Sequence, residues 1–243
     1  MSKAIGASRP VKRKRKRRHP LGVILYEGPS LYDGAPIAVV ANKIWDPSQN
    51  DKTGPLIGIA AFRTDVDPVT AHKMGLDYSV CFTCPLRKGA CYVVIVNGIL
   101  QTWKSYKAGK YVHAGEADVL AMLASSRFGT RFGTYGNISA GPFEVVEQVI
   151  EAKLDSAEPR WTMYVADWET CDQRFRHVSM ASVQSVDQAI RAHNMGWRFY
   201  LSTFEEEREE AFAALKAAGI KLAGCPYRQF DADDPSTWDA PQR

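Results

Sequence analysis

From residue 131 onward the chain alternates between β-rich and helical runs, about four or five times at intervals of ~20–30 residues, a pattern few architectures accept. RFGTY at 131–135 precedes PFEVVEQVIEAKL, and WTMYVADW at 161–168 precedes a polar stretch around Asp172 and Arg174. HVSMASV at 177–183 precedes SVDQAIRAHNMG, where Gly196 suits a helix C-cap, WRFYLST at 197–203 precedes FEEEREEAFAALKAAG, and IKLAGC closes the series. Consecutive units of this kind put parallel strands side by side with helices packed on them. The pattern predicts an α/β fold, with a partial or complete β/α barrel as first choice and an open doubly wound sheet as second.

The earlier half reads differently. LGVILY, APIAVVA and LIGIAAF between residues 21 and 63 are short β-rich runs separated by turn-rich EGPSLYDG and DPSQNDKTG, which predicts a short antiparallel meander. Residues 65–75 read as a short helix with Asp67 as cap and Pro68 at its first position. YVVIV at 92–96 reads as a strand, GILQTWKSYKAGKY as helical, and residues 116–125 as a further helix from the spacing of Ala117, Leu120, Met122 and Leu123. The resulting organisation is a basic arm at 1–20, one α/β domain at 21–228 and an acidic extended tail at 229–243. Within the domain lie a β-rich part at 21–63, a Cys-rich segment at 78–92 and βα repeats at 92–225.

With 243 residues, 45% of them hydrophobic, the chain can bury one substantial core. No apolar run approaches the roughly 20 residues of a membrane span, and LGVILY is too short for a signal-peptide core, which predicts a cytoplasmic protein, in the host cytoplasm if phage-encoded. The formal charge of +4 averages two unlike parts. Residues 1–20 hold nine Lys or Arg and no acid. Taking nine from 31 leaves 22 bases against 27 acids, a body of about −5. The unbroken run Lys12, Arg13, Lys14, Arg15, Lys16, Arg17 and Arg18 should be disordered alone, and it suits DNA or RNA phosphates, a targeting signal or a solubilising tail equally in type.

Five cysteines in an apparently cytosolic chain argue against a disulfide framework. Cys81, Cys84 and Cys91 fall together in CFTCPLRKGAC, and two cysteines separated by two residues can turn both sulfurs onto one ion. Pro85 and Gly89 suit a loop that returns the third sulfur, and Arg87 and Lys88 would lower the thiol pKa values, their plainer reading being solvated loop charges. A fourth ligand from Cys225 (the preferred one), Cys171, His72, His113 or His177 would close a structural zinc site. An open fourth position suits a zinc-bound water or a three-cysteine iron–sulfur cluster. The competing reading is three incidental thiols.

The stretch DPVTAHKMGLDYSVCFTCPLRKGACYV, followed by TWKSYKAGKY, RFGTYGN and MASVQSVDQAIRAHNMGWRFY, resembles a family of uncharacterised phage-encoded Cys-rich proteins, over about residues 21–225. That family is in turn distantly similar to radical S-adenosylmethionine enzymes, whose three-cysteine cluster sits in a partial β/α barrel. The resemblance implies an iron–sulfur cluster with S-adenosylmethionine as co-substrate and action on a nucleotide or nucleic acid. The cysteine gaps here are two and six residues, against the superfamily's usual three and two. Family members carry further cysteines after a Cys-Pro pair, of which only Cys225 with Pro226 remains.

In a parallel sheet, residues at the carboxyl ends of strands line the functional face, which nominates Tyr135, Asn137, Asp167 and Ser179 for substrate, with Ser182, Ser202 and Thr203 behind them. For each one alone, an ordinary cap or loop hydrogen bond is the competing role. The histidines form no triad spacing, and no glycine-rich phosphate loop is present. Two functions follow: a metal- or cluster-containing enzyme of unassigned reaction, or a non-enzymatic nucleic-acid-associated protein with a structural zinc and a basic DNA-binding arm.

Overall fold

The computed structural model describes residues 20–47, 54–87, 89, 91–113 and 119–223. The expectations for the arm Lys12 to Arg18, for Cys225 and for the acidic tail lie outside the described residues.

The fold is mixed α/β. Strands β1 (Gly22–Pro29), β2 (Pro36–Asn42) and β3 (Ile57–Arg63) pair antiparallel in sequence order, with a bulge in β1 between Ile24 and Tyr26. Strand β4 (Tyr111–His113) joins β1 in parallel, and β5 (Thr130–Phe132) and β6 (Trp161–Thr162) add to β3 in parallel, giving the order β4-β1-β2-β3-β5-β6. A second sheet holds β7 (Tyr164–Val165), β8 (Met180–Val183) and β9 (Arg198–Leu201), all parallel. Only Met163 separates β6 from β7. Its carbonyl accepts from the Met180 amide (3.1 Å), so the two sheets meet on one chain segment. Along this strip every described strand except β2 runs the same way, and the carboxyl ends of β1, β3, β5, β7, β8 and β9 share one edge.

Local chemistry sets the helices. Helix α1 (Pro68–Met74) starts where Asp67 accepts from the amides of Val69 (3.0 Å) and Thr70 (3.1 Å), and it stops at Gly75, whose φ of 74° suits only glycine well. Helices α2 (Tyr78–Cys81) and α3 (Gly98–Lys107) follow, then α4 (Val119–Ser125). Helix α5 (Phe143–Leu154) buries Phe143, Val146, Val149 and Ile150 at helical spacing, and Lys153 on the same stripe is fully buried. The Lys153 ammonium donates to the carbonyls of Ser126 (2.9 Å) and Leu123 (3.3 Å), completing the end of α4, and burial lowers its pKa. Helix α6 (Val186–Asn194) begins at a Ser185 cap and α7 (Arg208–Ala217) is the last. The core runs continuously through Val23, Val39, Ile59, Phe132, Val165 and Ala181.

Two predicted strands do not form. Residues 92–96 have strand composition, but no described strand pairs with them, and Tyr92, Val94 and Val96 are 67%, 60% and 54% exposed. A β-prone composition makes a strand only where the segment pairs with another, and here it does not. Residues 220–223, the described part of the expected IKLAG strand, carry no regular structure either.

Candidate functional site

Two groups of polar side chains occupy the edge formed by the carboxyl ends of the parallel strands. The first is built on α2. Asp77, 1% exposed, accepts from Arg87 Nε (2.8 Å) and Nη2 (2.5 Å) and sits 2.8 Å from His72 Nδ1, while Arg87 also donates to the Gly75 carbonyl. The residue four before Cys81 is thus clamped to the residue three after Cys84. Within the clamp the Cys84 amide donates to the Cys81 carbonyl (3.0 Å) and the Arg87 amide to the Cys84 carbonyl (3.0 Å), a tight double turn. Phe82, between the cysteines, has φ 45° and ψ −128°, a conformation that costs a bulky L-residue about 1–3 kcal/mol. Its ring is held by stacking on Tyr32 (4.5 Å between centroids, 18° between planes) and by a tilted contact with Tyr78 (5.3 Å).

Arg87 does lower the thiol pKa values as expected, but it is outweighed: burial pushes Cys81 well up, Asp77 adds to the rise, and Cys84 and Cys91 add more. Arg87 is not a solvated loop charge, since its side chain is 15% exposed. Cys84 is likewise raised by burial, and Cys91 is exposed. Tyr135 is buried, its hydroxyl has no hydrogen-bond partner among the described residues, and its pKa is raised first by burial and then by Cys81, Asp77 and Cys91. Its phenol therefore shares the neighbourhood of the thiols.

The second group centres on Asp167, just beyond β7 and 6% exposed. Its carboxylate accepts from Ser139 Oγ (2.7 Å), Tyr32 OH (3.0 Å) and the side-chain amide of Asn137, and no basic side chain among the described residues pairs with it. Tyr32 OH also lies 2.8 Å from Ser139 Oγ, and burial followed by the Asp167 charge raises its pKa. Asn137 Oδ1 is buried without a hydrogen-bond partner among the described residues. Cys171 is next to this group, its thiol pushed up to about 12 by burial and by Asp167 and Asp172.

The GTYGN turn after β5 joins the groups. Gly133 and Gly136 have φ of 71° and 72°, and a Cβ on Gly136 would come 2.6 Å from the Ala61 carbonyl oxygen, so the turn lies against β3 only because glycine is there. The Asn137 amide donates to the Val80 carbonyl (2.5 Å), fixing the turn to α2. Tyr135 thereby falls on the cysteine side and Asn137 on the Asp167 side.

Of the sequence candidates, Tyr135, Asn137 and Asp167 come together. Ser179 does not: it precedes β8, at the amino end of that strand, and its hydroxyl donates to the Phe175 carbonyl (2.7 Å). The misplacement arose because residues 177–179 belong to a 3-10 turn (Gln173–His177) and its exit, so the strand starts later than its apolar composition suggests. Thr203 donates to Glu207 (2.8 Å) ahead of α7, an ordinary local bond. His72 pairs with Asp77, His113 lies 3.9 Å from Glu27, and His177 contacts Arg176. Sequence reasoning missed Tyr32, Ser139, Asp77 and the Ser79 hydroxyl, which donates to Asp33 (2.7 Å) and receives Arg63 (3.2 Å). The available signal was that PSLYDG follows the carboxyl end of a strand.

Three soft sulfur donors in one loop suit zinc or iron in type, and the partnerless Tyr135 hydroxyl beside them is a polar group without a present function. Among the described residues, however, no three His, Cys, Asp or Glu side chains are already arranged to hold an ion. The chain between Cys84 and Cys91 includes Lys88 and Ala90, which lie outside the described residues. No helix among the described residues is long and apolar enough to cross a membrane. No family model, curated protein or solved structure matches the chain.

Proposed function

We propose that this is a metal-binding protein in which Cys81, Cys84 and Cys91 take up a zinc ion or an iron–sulfur cluster at the carboxyl edge of the parallel strands, within a partial β/α barrel of the phage-encoded kind. The observation that carries the reading is three thiols near enough to raise one another's or Tyr135's pKa, two of them, Cys81 and Cys84, inside a clamped, strained turn. The unreversed neighbour order β3-β5-β6 and then β7-β8-β9 supports the barrel element of the reading. Bound metal would supply Lewis acidity or redox chemistry there. The chain's own residues would hold a substrate through Tyr135 OH and Asn137 Oδ1, buried polar atoms whose partners are open, and Asp167 would orient Asn137. Those open groups favour an enzyme over a purely structural zinc, which needs no polar atoms beyond its ligands. S-adenosylmethionine is a candidate co-substrate only for the cluster form. The run Lys12 to Arg18 supports DNA or RNA as partner through phosphate neutralisation.

Anaerobic purification followed by zinc, iron and acid-labile sulfide analysis tests the reading. Stoichiometric zinc, or iron with sulfide and visible absorption, is expected, and Cys84→Ser and Cys91→Ser should each lose it. Metal-free protein with all thiols free, unable to take up either zinc or a reconstituted cluster, would overturn it.

A further inference from the structure

We infer a second ligand site on the other half of the molecule: a cleft of about 590 Å³ that takes a small flat ring bearing one phosphate or carboxylate. Strand register builds its floor. Tyr111 pairs with Gly22, Gly22 with Asn42, Asn42 with Gly58 and Gly58 with Arg131, so these five residues form one row on one face across β4, β1, β2, β3 and β5. A sheet face beneath a helix is ordinarily filled by large apolar side chains. Here two of the five positions are glycine, the next position toward the carboxyl end of β3 on this face is Ala60, and the remaining three carry polar tips. The small residues Gly58 and Ala60 leave part of this face open and line the cleft, whereas the space over Gly22 is taken by the Tyr111 ring.

The row is organised. The Tyr111 ring lies over Gly22, where a Cβ would meet it at 2.6 Å, and its hydroxyl donates to Asn42 Oδ1 (2.9 Å) while Asn42 Nδ2 donates to Thr102 Oγ1 of α3 (3.0 Å). These bonds fix one wall against collapse. Gly58 and Ala60 leave a flat apolar floor of the kind that accepts a ring.

The charge is one-sided. Among the described residues, Lys43 and Arg131 line the cleft and no Asp or Glu does, although the body of the protein carries more acids than bases. Arg131 donates to Tyr92 OH (2.6 Å), its guanidinium lies 5.7 Å from the centre of that ring, and no carboxylate among the described residues pairs with it. Asn97, Gly98 and Ile99 at the start of α3 also line the cleft, and no side chain caps that helix start, which adds uncapped amides and the positive end of a helix dipole. Both features favour an anion. The cleft opens past Tyr92 and Val94, whose exposed faces can cover a ring. It lies mainly toward the amino ends of the parallel strands, away from Asp167, although Tyr92 and Val93 on its rim directly follow Cys91 and Thr134 directly precedes Tyr135.

The test is titration of the full-length, isotope-labelled protein, followed by amide NMR. Adenosine 5′-monophosphate and indole-3-acetate are the two anionic probes, and adenosine and inorganic phosphate are the controls that each lack one half. At least one anionic probe should shift Gly58 and Gly98 and bind about tenfold or more tightly than either control, and folded Arg131→Gln should lose about tenfold in affinity. Failure of both anionic probes to shift Gly58 and Gly98 at about 10 mM, shifts confined to residues elsewhere, or unaltered binding in folded Arg131→Gln would each overturn the inference. Adenosine binding as well as its monophosphate would overturn the anionic assignment.

Discussion

Tyr32 stacks on Phe82 at 4.5 Å while its hydroxyl donates to Asp167 at 3.0 Å, so one side chain links the strained turn between Cys81 and Cys84 to the buried carboxylate of the second polar group. Tyr32→Phe keeps the ring and removes the hydroxyl, leaving Asp167 and Ser139 each short of a partner. A loss of about 1–2 kcal/mol in denaturant unfolding is expected, and Tyr32→Ala, which also removes the stack, should cost about 3–5 kcal/mol. Equal losses for the two variants would mean that the stack does not support Phe82.

The Asp77 clamp should behave as a buried ion pair. Asp77→Asn leaves Arg87 largely buried beside a neutral group, and a destabilisation of about 3 kcal/mol is expected. Arg87→Met should be comparably harmful. In the double variant the losses should add to clearly less than their sum, because neither leaves an uncompensated charge. Additive losses measured by urea unfolding would show that the two residues act separately.

Burial holds the Cys81 and Cys84 thiols above their ordinary values, with consequences of known sign. A thiol whose folded pKa is raised keeps its proton in the folded state after the unfolded chain has lost it. Stability of the metal-free protein should therefore fall as pH rises past about 8.5, where unfolded thiols ionise. Metal displaces those protons, so its affinity should rise with pH, by up to about tenfold per unit for each proton released. Competition with a chelator of known pH dependence between pH 6 and 8 measures the slope. In metal-free protein, iodoacetamide should modify exposed Cys91 before the partly buried Cys81, as peptide mapping would read.

Gly136 should tolerate nothing larger. Alanine there would press its Cβ against the Ala61 carbonyl in a left-handed backbone, costing about 2 kcal/mol or more and moving Tyr135 and Asn137 off their positions. Gly34, with φ 75° and open space around it, separates the two effects: alanine there meets the backbone strain alone and should cost about 1 kcal/mol. Thermal unfolding of the two variants in parallel gives the comparison.

Much of the local structure was legible because it is decided locally. Asp67 and Pro68 start a helix, Ser185 caps another, Gly196 takes a φ of 79° just past its end, and the βα series yields parallel strands, all by the spacing and backbone preferences of short segments. The nomination of Tyr135, Asn137 and Asp167 also came from a topological rule about strand ends. Long-range packing decided the rest. YVVIV has the composition of a strand but pairs with none, and Ser179 lost its place when a 3-10 turn delayed the strand. Arg87 was taken up by Asp77 instead of the thiols.

The sequence by itself determined the α/β class, the cysteine cluster and the separation of a cationic arm from an acidic body, because periodicity, spacing and charge are properties of the chain. Only the tertiary structure decided that Tyr32 meets Asp167, that glycines 22 and 58 fall in one row under α3, and that burial raises the thiols. Those outcomes depend on which distant segments share a neighbourhood, and desolvation and strand register exist only once they do.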